Sequence, residues 1–86
     1  MSVIPLEEIA GNLNEVSWDI LDMLSKKENL NSKEIRDKLN ISLEKSYKEL
    51  ARLEGALLID SKRDPKDKRY LMMNLTDYGL EILQLK

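Results

Sequence analysis

The hydrophobic period of this chain changes twice between Leu43 and its end, and few small folds accommodate that. From Leu43 to about Leu57 the spacing is helical: at about 100° per residue, Leu43, Ser46, Leu50, Leu53 and Leu57 come round to one face. After Gly55 the period becomes two. Leu57–Arg63 and Arg69–Leu75 read as strands joined through Asp64-Pro65-Lys66-Asp67-Lys68, a turn composition. In the second strand Leu71, Met73 and Leu75 share one face, and Tyr70, Met72 and Asn74 share the other. Thr76 then caps a closing helix.

The upstream half reads as helical throughout. Pro5 suits the first turn of a short helix in PLEEIAGNL, with Glu7 and Glu8 near its positive end and Gly11 and Asn12 ending it. Val16, Ile20 and Leu24, with Trp18 and Leu21, give helical spacing to NEVSWDILDMLSKK. ENLNS reads as a turn. Asn31 or Ser32 caps SKEIRDKLN, which buries Ile35 and Leu39. Ser42 caps the next helix without the acid of a capping box. The order is α-α-α-α-β-β-α, a mainly α chain with a small β-hairpin, in which a three- to four-residue turn separates two short helices. That is a helix-turn-helix followed by a hairpin. The reading gives one domain over 1–86: an N-terminal helical extension (about 1–14), a recognition helix (about 42–57), a wing (about 57–76) and a C-terminal helix (76–86).

Composition narrows the chemistry. The 86 residues contain no cysteine and no histidine, so thiolate metal sites, disulfides and the usual neutral-pH general base are excluded. No acid pair is spaced for acid–base catalysis or a calcium loop, and most acids read as surface residues. We expect no enzymatic activity, no metal and no cofactor. No run reaches the ~18 apolar residues of a membrane span, and the N-terminus lacks a signal pattern, so a cytoplasmic location is expected.

Charge is segregated. Residues 1–24 carry five acids and no Lys or Arg, whereas the remainder holds all 14 cations against 11 acids. On the helix from Leu43, the residues Lys45, Lys48 and Arg52 form a stripe opposite the apolar face, with Tyr47 at the boundary. Such a stripe is most often a solvated surface, and a cationic hairpin tip is often protection against edge-to-edge aggregation. Their coincidence points further. The stripe lies on the second helix of a helix-turn-helix, and the hairpin follows it directly. Lys62, Arg63, Lys66, Lys68 and Arg69 then form an anion-binding arm that can neutralise phosphates, beside a helix sized for a major groove about 12 Å wide. Tyr47 contacts a sugar or a thymine methyl, or else seals the core edge. Met72 and Met73 alternate, one of them in the core, and Trp18 reads as a core anchor.

ISLEKSYKELARLEGALLI followed by DPKDKRYLMMNLTDYG resembles the winged helix-turn-helix of the MarR family of transcription regulators, and of small archaeal relatives. The family's wing reads Asp-Pro-x-Asp-Arg-Arg, a strand, then Leu-Thr-x-x-Gly. Asp64, Pro65, Asp67, Lys68, Arg69, Leu75, Thr76 and Gly79 stand at those positions, with lysine for the first arginine. The resemblance covers roughly residues 30–80 and implies duplex DNA binding as a dimer, with Arg69 toward the minor groove and Asp67 orienting the wing's basic side chains. Ser46 stands where the family has a branched apolar residue, and Gly55 is offset by one from the family's glycine. Only about ten residues follow Thr76, so the family's phenolic-effector pocket is not expected here.

The expected function is therefore sequence-specific binding of double-stranded DNA by a homodimeric transcriptional regulator. The DNA-facing set is Ser42, Lys45, Tyr47, Lys48, Arg52 and the five wing cations. Apolar residues near both ends, namely Val3, Ile4, Leu6, Ile9 and Leu13 with Leu80, Ile82, Leu83 and Leu85, are the expected dimer surfaces. Two alternatives stand beside it: a DNA-coating plasmid-partition or chromatin protein, and a winged-helix protein-interaction module.

Overall fold

A computed structural model of the protein describes residues 5–26 and 30–85. Eight elements follow in chain order: α1 (Leu6–Gly11), α2 (Glu15–Lys26), β1 (Leu30–Asn31), α3 (Ser32–Leu39), α4 (Leu43–Gly55), β2 (Ile59–Arg63), β3 (Leu71–Leu75) and α5 (Asp77–Leu83). This is the winged helix-turn-helix that the sequence predicts, with one addition. Leu30 and Asn31, expected in a turn, form a third strand antiparallel to Met73 and Met72, which makes the sheet order β1-β3-β2. Ile4 of the expected dimer surface, together with Val3, Lys27–Asn29 and Lys86, falls outside the described residues.

The helices begin and end for local reasons. Asn14 accepts from the Ser17 amide at 2.9 Å at the start of α2. Asn31 caps α3 in a full capping box: its Oδ1 accepts from the Glu34 amide at 2.8 Å, and Glu34 Oε1 accepts from the Asn31 amide at 3.1 Å. Asn40, at φ 53°, ends α3 in the left-handed region, and Ser42 caps α4 by accepting from the Lys45 amide. At the end of α4, the Leu57 and Leu58 amides donate to Glu54 and Leu53, the paired bonds of a Schellman motif.

The core lies between α2, α3, α4, α5 and the inner face of the sheet. Ile20, Leu21, Leu24, Leu30, Ile35, Leu50, Leu53, Leu58, Ile59, Met73 and Ile82 are buried there. Met73 is the core methionine of the pair, and Trp18 packs partly buried against the cluster. Ile82 therefore belongs to the chain's own core and not to an outer surface. Ser46 is also buried, and its hydroxyl donates to the Leu43 carbonyl at 2.8 Å, which satisfies a polar group at an apolar position.

The Leu-Thr-x-x-Gly segment welds the wing to the last helix. Thr76 donates to the Leu57 carbonyl at 2.6 Å through its hydroxyl and to Leu58 through its amide, while the same hydroxyl accepts from the Gly79 amide. A Cβ on Gly79 would collide with the Leu58 carbonyl and sit 2.6 Å from Leu75 Cδ1. Only glycine fits so close to another backbone.

Candidate nucleic-acid interface

Two flanks of α4 are fixed by contacts, and they orient the rest of the helix. On one flank, Tyr47, Ala51 and Glu54 line a groove of about 530 Å³ against the wing sheet, which contributes Ser61, Leu71 and Met73. Ser61 Oγ donates to Glu54 Oε2 at 2.6 Å across it. On the other flank, Glu49 faces the start of α2. The open face lies between them. Lys48 is about 100° round the helix from Tyr47, and Arg52 and Lys45 follow at about 140° and 160°. Lys45, Tyr47, Lys48 and Arg52 are all exposed, as is Ser42 at the helix start.

The stripe is not uniform. Arg52 Nη1 donates to Glu49 Oε1 at 3.4 Å and Nη2 to the Asn12 carbonyl at 3.3 Å, so this guanidinium bridges α4 to the α1–α2 junction. Glu49 carries a charge that by itself would suit the surface beside the stripe. Instead it is buried, reached by Asn14 Nδ2 at 3.0 Å and Ser17 Oγ at 3.2 Å. Its place three residues after Ser46 and four before Leu53 is the signal that marks it as inward-facing. Leu43 and Leu57 correct the expectation in the opposite direction. Leu43 is 51% exposed because the first turn of α4 overhangs the core, and Leu57 is 63% exposed because it lies beyond the helix end.

The wing turn is built from two successive Asx turns. Asp64 Oδ1 accepts from the Lys66 amide at 2.9 Å, and Asp67 Oδ1 accepts from the Arg69 amide at 3.1 Å. Asp64 is buried, and its second oxygen accepts from Asn31 Nδ2 at 3.3 Å, which ties the base of the wing to the cap of α3. Arg63 Nη1 donates to the Lys68 carbonyl and closes the loop.

Asp67 also grips the Arg69 guanidinium at two points, 2.9 Å and 2.8 Å. Those hydrogen bonds pull the Asp67 carboxyl down from its ordinary value to about 2, and the same contacts raise the guanidinium further above its usual range. Arg69 additionally lies 5.4 Å from the centroid of the Tyr70 ring. Arg69, Lys62, Lys66 and Lys68 are exposed.

No cluster of potential metal ligands and no helix long and apolar enough to cross a membrane occur among the described residues. Of the expected outer apolar residues, Leu6, Ile9, Leu13 and Leu83 are partly buried, whereas Leu80 and Leu85 are about half exposed.

The family model described as "MarR family" matches residues 13–71, which includes α2 to α4 and the wing as far as the start of β3. The chain belongs to the MarR family. It is a family of transcription regulators, and the chain has the regulators' fold. No curated protein sequence matches it. Among solved structures, the PcaV transcriptional regulator of Streptomyces coelicolor is similar at a TM-score of 0.83 with 20% identity, over 93% of this chain and 65% of that one. MepR of S. aureus, solved in complex with DNA, aligns at 0.82 with 21% identity over the same two shares. FabT of Streptococcus pneumoniae, also solved with DNA, aligns at 0.77 with 22% identity, over 86% of this chain and 52% of that one. The chain thus spans between about half and two thirds of the length of these regulators.

Proposed function

We propose that this MarR-family chain binds double-stranded DNA sequence-specifically, as a homodimeric transcriptional regulator. In this reading α4 enters the major groove with Ser42, Lys45, Tyr47 and Lys48 toward bases and adjoining phosphates. Lys62, Arg63, Lys66, Lys68 and Arg69 meet the phosphate backbone and the minor groove, with Asp67 presenting Arg69. Arg52 acts chiefly as a strut that sets the angle of α4 through Glu49 and Asn12.

The observation that carries the reading is the junction of α4 with the wing sheet. The Ser61–Glu54 bond spans the groove between them and sets the exposed cationic helix beside the sheet that carries the exposed cationic arm. The DNA complexes of MepR and FabT lend it support. One chain reads few base pairs, so two copies are required, on half-sites about 34–36 Å apart. Leu80 and Leu85, together with the apolar side of α1, are the surfaces proposed to join them.

Selection of bound duplexes from a random pool, followed by footprinting, tests the proposal. A short pseudo-palindromic footprint and affinity that falls steeply with salt are expected. A salt slope near zero would overturn duplex binding. Protection that spreads along the DNA favours the coating role, and a monomer at tens of micromolar removes the dimer.

A further inference from the structure

Helix α1 is lightly held. None of its six residues is buried, and Ile9 and Ala10 rest only partly covered at the edge of the core. A cleft of about 250 Å³ lies between it and α4, lined by Ile9 and Leu13 on one side and by Leu53 and Ala56 on the other. The hydrogen bonds that span this seam converge on one buried acid. Glu49 accepts from Asn14 Nδ2 at 3.0 Å and from Ser17 Oγ at 3.2 Å, both at the start of α2, and from Arg52 Nη1 at 3.4 Å. Arg52 Nη2 donates to the carbonyl of Asn12, the residue that ends α1, at 3.3 Å. Asn12 in turn donates from Nδ2 to the Glu8 carbonyl at 3.0 Å, one turn back along α1.

Arg52 stands at the border between this seam and the open face of α4. It follows Lys48 by four residues, so the two side chains rise from adjoining turns of the same helix. Hydrogen bonds to a carboxylate are strong and directional. A rotation of α4 that carries Lys45 and Lys48 therefore pulls on the α1–α2 corner, and a shift of the corner tilts α4. The charged residues of α1 are Glu7 and Glu8, which offer a phosphate nothing, so any effect of α1 on a duplex has to pass through α4. We infer that Arg52 and Glu49 are positioning residues that couple the seat of α1 to the duplex-binding angle of α4. Such coupling is reciprocal. A duplex that fixes α4 steadies α1, and whatever seats α1, a second copy on its apolar side included, raises duplex affinity. The inference rests on the duplex-binding reading above and adds to it the element that regulates affinity.

The test uses the full chain, unmodified and as Arg52→Lys, with one selected duplex. Arg52→Lys keeps the charge and gives up the planar fork that meets Glu49 and Asn12 from two nitrogens. The side chain is half exposed, so the variant is expected to fold. Hydrogen exchange reads α1 through the amides of Asn12 and Leu13, which donate to the Ile9 and Ala10 carbonyls. In the unmodified chain a saturating duplex is expected to slow their exchange by about fivefold or more, the low end of ordinary coupling between sites. In Arg52→Lys that slowing is expected to vanish. Duplex affinity is expected to fall with an unchanged salt slope, because no phosphate contact is lost.

Exchange at Asn12 and Leu13 that is the same with and without bound duplex overturns the inference and leaves duplex binding intact. That comparison needs no variant, so it stands even if Arg52→Lys is unstable. Slowing that persists in Arg52→Lys also overturns the inference, since a second copy assembled on the duplex then covers α1 directly. So does full affinity in Arg52→Lys beside a salt slope in Arg52→Ala lower by about one, the signature of a phosphate held by Arg52 itself. A chain that retains no duplex at any salt removes both this inference and the reading beneath it.

Discussion

The Asn31 side chain holds two elements at once, capping α3 through Oδ1 while Nδ2 donates to the buried Asp64 carboxylate at 3.3 Å. The first helix of the helix-turn-helix and the base of the wing therefore share one amide. Asn31→Ala is expected to cost about 1–2 kcal/mol from the lost cap, plus a further loss because Asp64 Oδ2 loses its donor. Asn31→Asp separates the two roles. It keeps the cap and replaces the donor with a second negative charge, so α3 stays folded while residues 64–70 lose protection. Hydrogen exchange resolved along the chain checks this, and uniform protection in Asn31→Asp would contradict the shared anchor.

Glu49 is the second polar tie. Asn14, Ser17 and Arg52 all converge on its carboxylate, and their remaining contacts lie at the α1–α2 junction. Removing the buried carboxylate takes an acceptor from Asn14 Nδ2 and from the buried Ser17 hydroxyl and unties α4 from the start of α2, so Glu49→Ala is expected to destabilise the chain by about 1–3 kcal/mol in urea unfolding. Arg52→Ala removes only a half-exposed partner and is expected to cost less. Equal losses in the two variants would show that the network is not centred on the acid.

Much of this arrangement is legible in the residues and some is not, for identifiable reasons. Helical spacing and the Asp-Pro-x-Asp turn suffice for α2, α3, α4 and the hairpin. The strand β1 is two residues long, too short for any period, and it exists only because β3 offers an edge. Periodicity gives the angle of a side chain round a helix but not its depth along the axis. That is why Leu43 and Leu50, alike in angle, differ so much in exposure. Glu49 hides because a charged residue reads as surface, although its spacing from Ser46 and Leu53 points inward. The interlocking of Asn31 with Asp64 joins positions 33 apart and has no local signal at all.

The end of α4 carries a correctable strain. Leu57 occupies the left-handed position of the Schellman motif at φ 65°, where glycine is preferred, and Gly55 two residues earlier is helical. Leu57 is mostly exposed, so little packing opposes its replacement. Leu57→Gly is expected to stabilise the protein by about 0.5–1 kcal/mol, the relief of the left-handed side chain less the added freedom of the unfolded chain. Thermal unfolding measures it. A lower melting temperature would show that the Leu57 side chain packs more than its exposure implies.

The Asp67–Arg69 pair predicts how the wing responds to acid. Its carboxyl titrates near 2 in the folded chain against 3.8 ordinarily, because the Arg69 side chain and amide favour the ionised form. A depressed carboxyl contributes order above its unfolded value and loses it as pH falls through the folded one. The contribution is therefore whole at neutral pH and declines between about pH 4 and 2. Nuclear magnetic resonance titration of the Asp67 carboxyl should show that low midpoint, and Arg69→Ala should return it toward the ordinary value. Asp67→Asn keeps an acceptor for the Arg69 amide but releases the guanidinium. On the proposed reading it should weaken duplex binding with little loss of fold, since a freed arginine must be ordered again on contact. Binding unchanged by Asp67→Asn would mean that Arg69 meets the backbone without being aimed by its neighbour.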